Sequence, residues 1–71
     1  MNNKLTNKEL DEVLNLAAKM IVKYPQFRIG QSFFNSLYEL HPQIADEVRA
    51  TEYDPFYNDD KIHKCIAFIS E

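Results

Sequence analysis

This chain has little that bends or staples a backbone. Its 71 residues hold one glycine, three prolines, one cysteine and no tryptophan. So few turn-forming residues exclude an ordinary all-β fold, in which every pair of short strands needs a turn. The lone cysteine, Cys65, has no partner for an internal disulfide, and the expectation is a protein of the reducing cytoplasm. No apolar run approaches the roughly 18 residues of a membrane-spanning helix. The opening Met1-Asn2-Asn3-Lys4-Leu5-Thr6 lacks the apolar core of a signal peptide. Neither a membrane nor an export route is expected.

What is present points to helix. Apolar residues make up 45% of the chain and charged residues 27%, a globular balance. Leu, Ala, Lys, Glu and Met fall mainly in stretches free of breakers. The length allows one domain, residues 1–71, with room for neither a second lobe nor a deep cofactor cavity. Net charge is −3 and uneven. Residues 1–38 balance at +2 and residues 39–71 at −5. That split argues against general nucleic-acid binding, which wants a basic stripe. An acidic half either keeps a protein soluble or faces a basic partner.

Four helical segments follow from capping and period. Thr6-Asn7-Lys8-Glu9 fits a capping box, flanked by a staple of Leu5 on Leu10. A first helix from Asn7 to Lys23 then lines up Leu10, Val13, Leu14, Ala17, Met20, Ile21 and Tyr24 on one face. Pro25 stops it. A second, over Ile29–Leu40, puts Ile29, Phe33, Ser36, Leu37 and Leu40 on its main stripe. Phe34 and Tyr38 make a side stripe at i and i+4. Apolar character over more than half its circumference predicts a central position. A short third helix, Pro42–Ala50, starts on a proline whose missing N–H costs nothing there. A fourth runs from Asp60 to Ser70, capped by Asn58 or Asp59, with Ile62, Cys65, Ile66 and Ile69 inward. The fold class is therefore all-α, a compact three- or four-helix small domain.

The search for chemistry returns nothing. There is no glycine-rich phosphate loop, no Walker pattern and no Cys-x-x-Cys. Cys65 and His63, at i and i+2 on a helix, point apart, and Cys65 on an apolar stripe reads as a buried structural thiol. His41, His63 and Cys65 match no zinc spacing. The acids Glu52, Asp54, Asp59 and Asp60 are interrupted by a proline and two aromatics where a calcium loop needs a glycine. No enzyme, cofactor or metal site is expected.

Two segments lack a periodic explanation: Arg28-Ile29-Gly30-Gln31 and Asp54-Pro55-Phe56-Tyr57-Asn58-Asp59. Gly30 admits a close backbone neighbour. Arg28 suits a carboxylate, and the acid-rich 52–59 loop is the nearest source. Two readings stay open. In one, the first segment clasps the second: Arg28 pairs with Asp54, Gln31 bonds the loop backbone, and Phe56 plugs the core beneath. In the other, Arg28, Gln31, Tyr53, Asp54 and Tyr57 form a recognition patch, with Phe34 and Tyr38 as a further partner or self-association surface.

These same residues, with Asn35, Leu37 and Ile62, resemble a pattern in small proteins of bacteriophages and bacteria. Those proteins carry an Arg-x-Gly-Gln element, a short helical stretch and a C-terminal Asp-Pro-Phe-Tyr element. The likeness covers roughly residues 20–70. It implies a short accessory protein of a phage or mobile element, and it brings no catalytic residue with it. The leading expectation is a non-enzymatic adaptor or inhibitor that binds a larger host protein. The alternatives are nucleic-acid interaction, direct or by acidic DNA mimicry, and a structural homodimer.

Overall fold

The computed structural model describes residues 4–71. Four helices follow in order: α1 (Asn7–Lys23), α2 (Ile29–Leu40), α3 (Pro42–Arg49) and α4 (Ile62–Ile69). A 3-10 turn, Asp59–Lys61, leads into the last. The architecture is all-α, as the periodicity predicts. The reading of Met1–Asn3 lies outside the described residues.

The start of α1 follows its sequence signals. The Thr6 hydroxyl accepts from the Glu9 N–H at 3.2 Å, and Glu9 Oε1 accepts from the Thr6 N–H at 2.9 Å. The bond to the Thr6 backbone holds the Glu9 carboxyl below its usual range. Leu5 does more than staple. Its side chain is 1% exposed and belongs to the core. Its N–H donates to the Ile69 carbonyl at 2.6 Å, and its carbonyl accepts from the Glu71 N–H at 3.1 Å. The result is an isolated parallel bridge between Leu5 and Ser70. It ties the segment before α1 to the end of α4, and it ends α4 at Ile69 rather than Ser70.

Pro25 closes α1, and Tyr24 stacks on Phe27 with ring centroids 5.2 Å apart across the connection. The chain then returns antiparallel. Met20 lies opposite Ser36, whose hydroxyl is 3.5 Å from the Met20 sulfur. Leu16 and Leu40 share a hollow further along. Two small buried serines, Ser32 and Ser36, lie on α2. The Ser36 hydroxyl donates back to the Ser32 carbonyl at 2.8 Å. The Ser32 hydroxyl is buried with no partner.

One core joins all four helices. Val13 comes from α1, Phe33, Phe34 and Leu37 from α2, Ala45 and Val48 from α3, Cys65 and Ile69 from α4, with Leu5 closing it. The radius of gyration, 11.0 Å, matches the roughly 11 Å of a close-packed chain this long. Helix α2 is central, touching α1, α3 and the 3-10 turn. Cys65 is fully buried. Desolvation, with the Asp54 carboxylate adding to it, pushes its thiol up to about 12.

The periodic pattern needs four corrections. Ile29 and Leu40, expected on the inner stripe of α2, are 57% and 41% exposed. They are its first and last residues, past the ends of the packed face. Leu14 and Tyr24, at the margins of the α1 stripe, are also more than a third exposed. Phe34, expected as a surface residue, is only 5% exposed. The 51–59 segment folds over that side of α2, and Phe56 meets the Phe34 ring edge-on at 5.8 Å. Finally, α3 stops at Arg49, and α4 begins one 3-10 turn late, with Asn58 capping that turn by accepting from Asp60 N–H at 2.9 Å.

Candidate functional site

The two unexplained segments do meet. Arg28 Nη2 donates to the Phe56 carbonyl. Its Nε lies 3.7 Å from Asp59 Oδ1. The same carboxylate oxygen accepts the Gly30 N–H at 2.9 Å, which satisfies one of the free donors in the first turn of α2. The partner of Arg28 is therefore Asp59, not Asp54. Asp54 is engaged locally: its Oδ1 accepts the Phe56 N–H at 2.9 Å and turns the chain at Pro55. Asp59 stands nearer because the turn at Pro55 and the 3-10 turn bring it over the N-terminus of α2.

Gly30 is required by contact. A β-carbon there would stand 2.1 Å from the Pro55 carbonyl oxygen and 2.8 Å from Asp59 Oδ1. No side chain fits, although the helical backbone at this position suits any residue. The plug expected of Phe56 is shared. Pro55 is fully buried and Phe56 only half so. Among the described residues no hydrogen bond joins Gln31 to the loop, and its side chain stays half-buried on α2.

On its other side the loop opens instead of closing. Phe34, Arg49, Asp54, Phe56 and Tyr57 line a hollow of about 190 Å³. Tyr57 is 82% exposed and packs its ring edge against Phe56 at 4.8 Å. Arg49 lies over two rings, Phe34 at 5.7 Å and Tyr38 at 5.2 Å. Its only ion pair among the described residues is an exposed contact with Asp46 at 3.6 Å.

The structure thus gathers Phe34, Tyr38, Asp54 and Tyr57 around Arg49 and leaves Arg28, Gln31 and Tyr53 elsewhere. Arg28 serves the clasp. Tyr53 stacks on Phe68 at 4.9 Å and faces Lys64 and Ala67 on α4. Lys4 Nζ lies 4.9 Å from the centre of the same Phe68 ring. Arg49 was not legible as a site residue. In sequence it sits three residues after Asp46 on a short polar face, the pattern of a solvated pair. Among the described residues no group of three or more His, Cys, Asp and Glu side chains is placed to hold a metal ion. Among the same residues no helix is long and apolar enough to cross a membrane. No protein-family model, curated protein or solved structure matches the chain.

Proposed function

We propose that this protein works by binding a larger protein, as a small non-enzymatic adaptor or inhibitor, through the surface around Arg49 and Tyr57. One observation carries the reading. Tyr57 is 82% exposed and rests on the half-buried Phe56, beside a guanidinium laid over two further rings. Tyrosine and arginine are the residue types that most often dominate protein interfaces. The hollow between them has the size of one anchoring side chain, with Asp54 at its rim to fix orientation. The clasp ties the loop to α2, which lowers the conformational entropy the loop would lose on docking. The resemblance to phage and bacterial accessory proteins supplies the narrower reading, an inhibitor or adaptor encoded by a mobile element and acting in the host cytoplasm.

The test is affinity capture of the tagged protein from its native cell. Wild-type protein should retain a specific larger protein. Tyr57→Ala and Arg49→Ala should each lose it while keeping their helical circular dichroism. Capture unaffected by both substitutions would remove this surface from the function. Recovery of nucleic acid alone would replace the reading with nucleic-acid interaction.

A further inference from the structure

The side of the α1–α2 pair lined by neither α3 nor α4 carries a long open groove. Two hollows, of about 560 and 420 Å³, meet at Glu39, which lines both. The α1 wall runs from Glu12 to Tyr24, about 18 Å at 1.5 Å per residue, or three helical turns. Its apolar lining comes from Leu16 and Met20 on α1, Tyr24 and Phe27 just beyond it, and Tyr38 and Leu40 on α2. Tyr24, Tyr38 and Leu40 are each more than a third exposed. The two longest helices of the chain thus lack a cover on this side, in a protein too short to build a large core.

We propose that the cover is the same groove of a second copy, so that two α1–α2 hairpins close into an antiparallel four-helix bundle. The charges on the rims favour this occupant. Lys19 stands on the α1 rim and Glu39 on the α2 rim. Neither is in an ion pair among the described residues. A two-fold axis along the helices lays α1 of one copy on α2 of the other. It then brings Lys19 of each copy to Glu39 of its mate, twice per dimer. An isologous interface must be self-complementary in this way. Glu12, two turns before Lys19 on the same wall, lies further along the rim and leaves the central pairing intact. The arrangement also buries the half-exposed apolar lining, the four-helix solution to a bare stripe. Arg49 and Tyr57 themselves stay outside the groove, and Tyr38 borders both surfaces.

Sedimentation equilibrium on the full chain, from micromolar to near-millimolar concentration, decides the matter. The wild type should show a monomer–dimer equilibrium. Lys19→Glu and Glu39→Lys, both at exposed positions, should each weaken the dimer on the order of tenfold by setting like charges together. The double variant should return to within about threefold of the wild type, because the pair is rebuilt with its signs exchanged. If either reversal disturbs the helices, Lys19→Gln and Glu39→Gln read the same coupling from neutral side chains. A monomer at every concentration overturns the proposal. So does a dimer that the double variant fails to restore. A monomer that still captures its larger partner through Tyr57 would sink the dimer alone and leave the proposed function standing.

Discussion

The two arginines bracket the same loop and are used in opposite ways. Arg28 reaches a backbone carbonyl and Asp59 at a place where α2 and the loop touch so closely that no β-carbon fits. Arg49 lies over Phe34 and Tyr38 at a place where the loop leaves a hollow. On one side Arg28 and the Gly30 N–H are both taken up by the loop. On the other, a largely exposed aromatic and an exposed cation rest on the rings of Phe56, Phe34 and Tyr38. That difference sets residues that join two segments against residues left at the surface.

The comparison is most easily broken at Gly30. Gly30→Ala forces a methyl group into the Pro55 carbonyl, so the loop must lift away. The expected loss is about 3 kcal/mol, the upper range of overpacking. A chemical denaturation curve measures it, and an unchanged midpoint would mean the two segments do not touch. Alkaline titration reads the floor beneath the loop. The Cys65 thiol is raised to about 12 by burial and by Asp54, so folding favours its protonated form. The stability it contributes should be complete below its ordinary value of 9.0 and fall as pH climbs from there toward about 12. A Cys65→Ala variant should lack that part of the alkaline slope.

Thr6→Ala gives a reference outside both arginine regions. Losing the cap of α1 should cost about 0.5–2 kcal/mol in the same denaturation assay. Smaller again is the clasp's ion pair, which is half exposed on both partners. A double-mutant cycle between Arg28 and Asp59 should give a coupling of about 0–1 kcal/mol. The cycle between Arg28 and Asp54 should give none. Coupling to Asp54 instead would put the loop in the wrong register. The smallest effect on stability belongs to the other arginine. Arg49→Ala should change it by no more than about 0.5 kcal/mol, as surface substitutions do, while removing partner capture. A large loss of stability there would make Arg49 a packing residue and erase the contrast between the two sides.

Some of this was legible in the chain and some was not, for reasons that differ residue by residue. Asn7–Lys23 and Ile29–Leu40 came out of capping, proline placement and period, because those signals act within a turn or two of the residues that carry them. That a clasp exists was readable from a lone glycine beside a lone nearby arginine, with an acid-rich loop downstream. Its partner is not legible locally, because Asp54 and Asp59 differ only in how the loop turns around Pro55. Phe34 was misplaced because a helical wheel gives direction and not cover: the loop that buries it lies some twenty residues further on. Arg49 passed unseen because its sequence neighbours describe an ordinary solvated pair, and its aromatic neighbours come from another helix.

By itself, then, the sequence determined the class of the fold, the number and nearly the bounds of its helices, and the burial of Cys65. All of these rest on short-range periodicity and on which side chains water rejects. Only the tertiary structure decided that Leu5 pairs with Ile69 and Glu71, that Asp59 rather than Asp54 answers Arg28, and that Arg49, Tyr38 and Tyr57 share one surface. Those are meetings between segments distant along the chain. They depend on loop path and on ångström-scale clearance, such as the space where Gly30 has no β-carbon, and no local pattern encodes such distances.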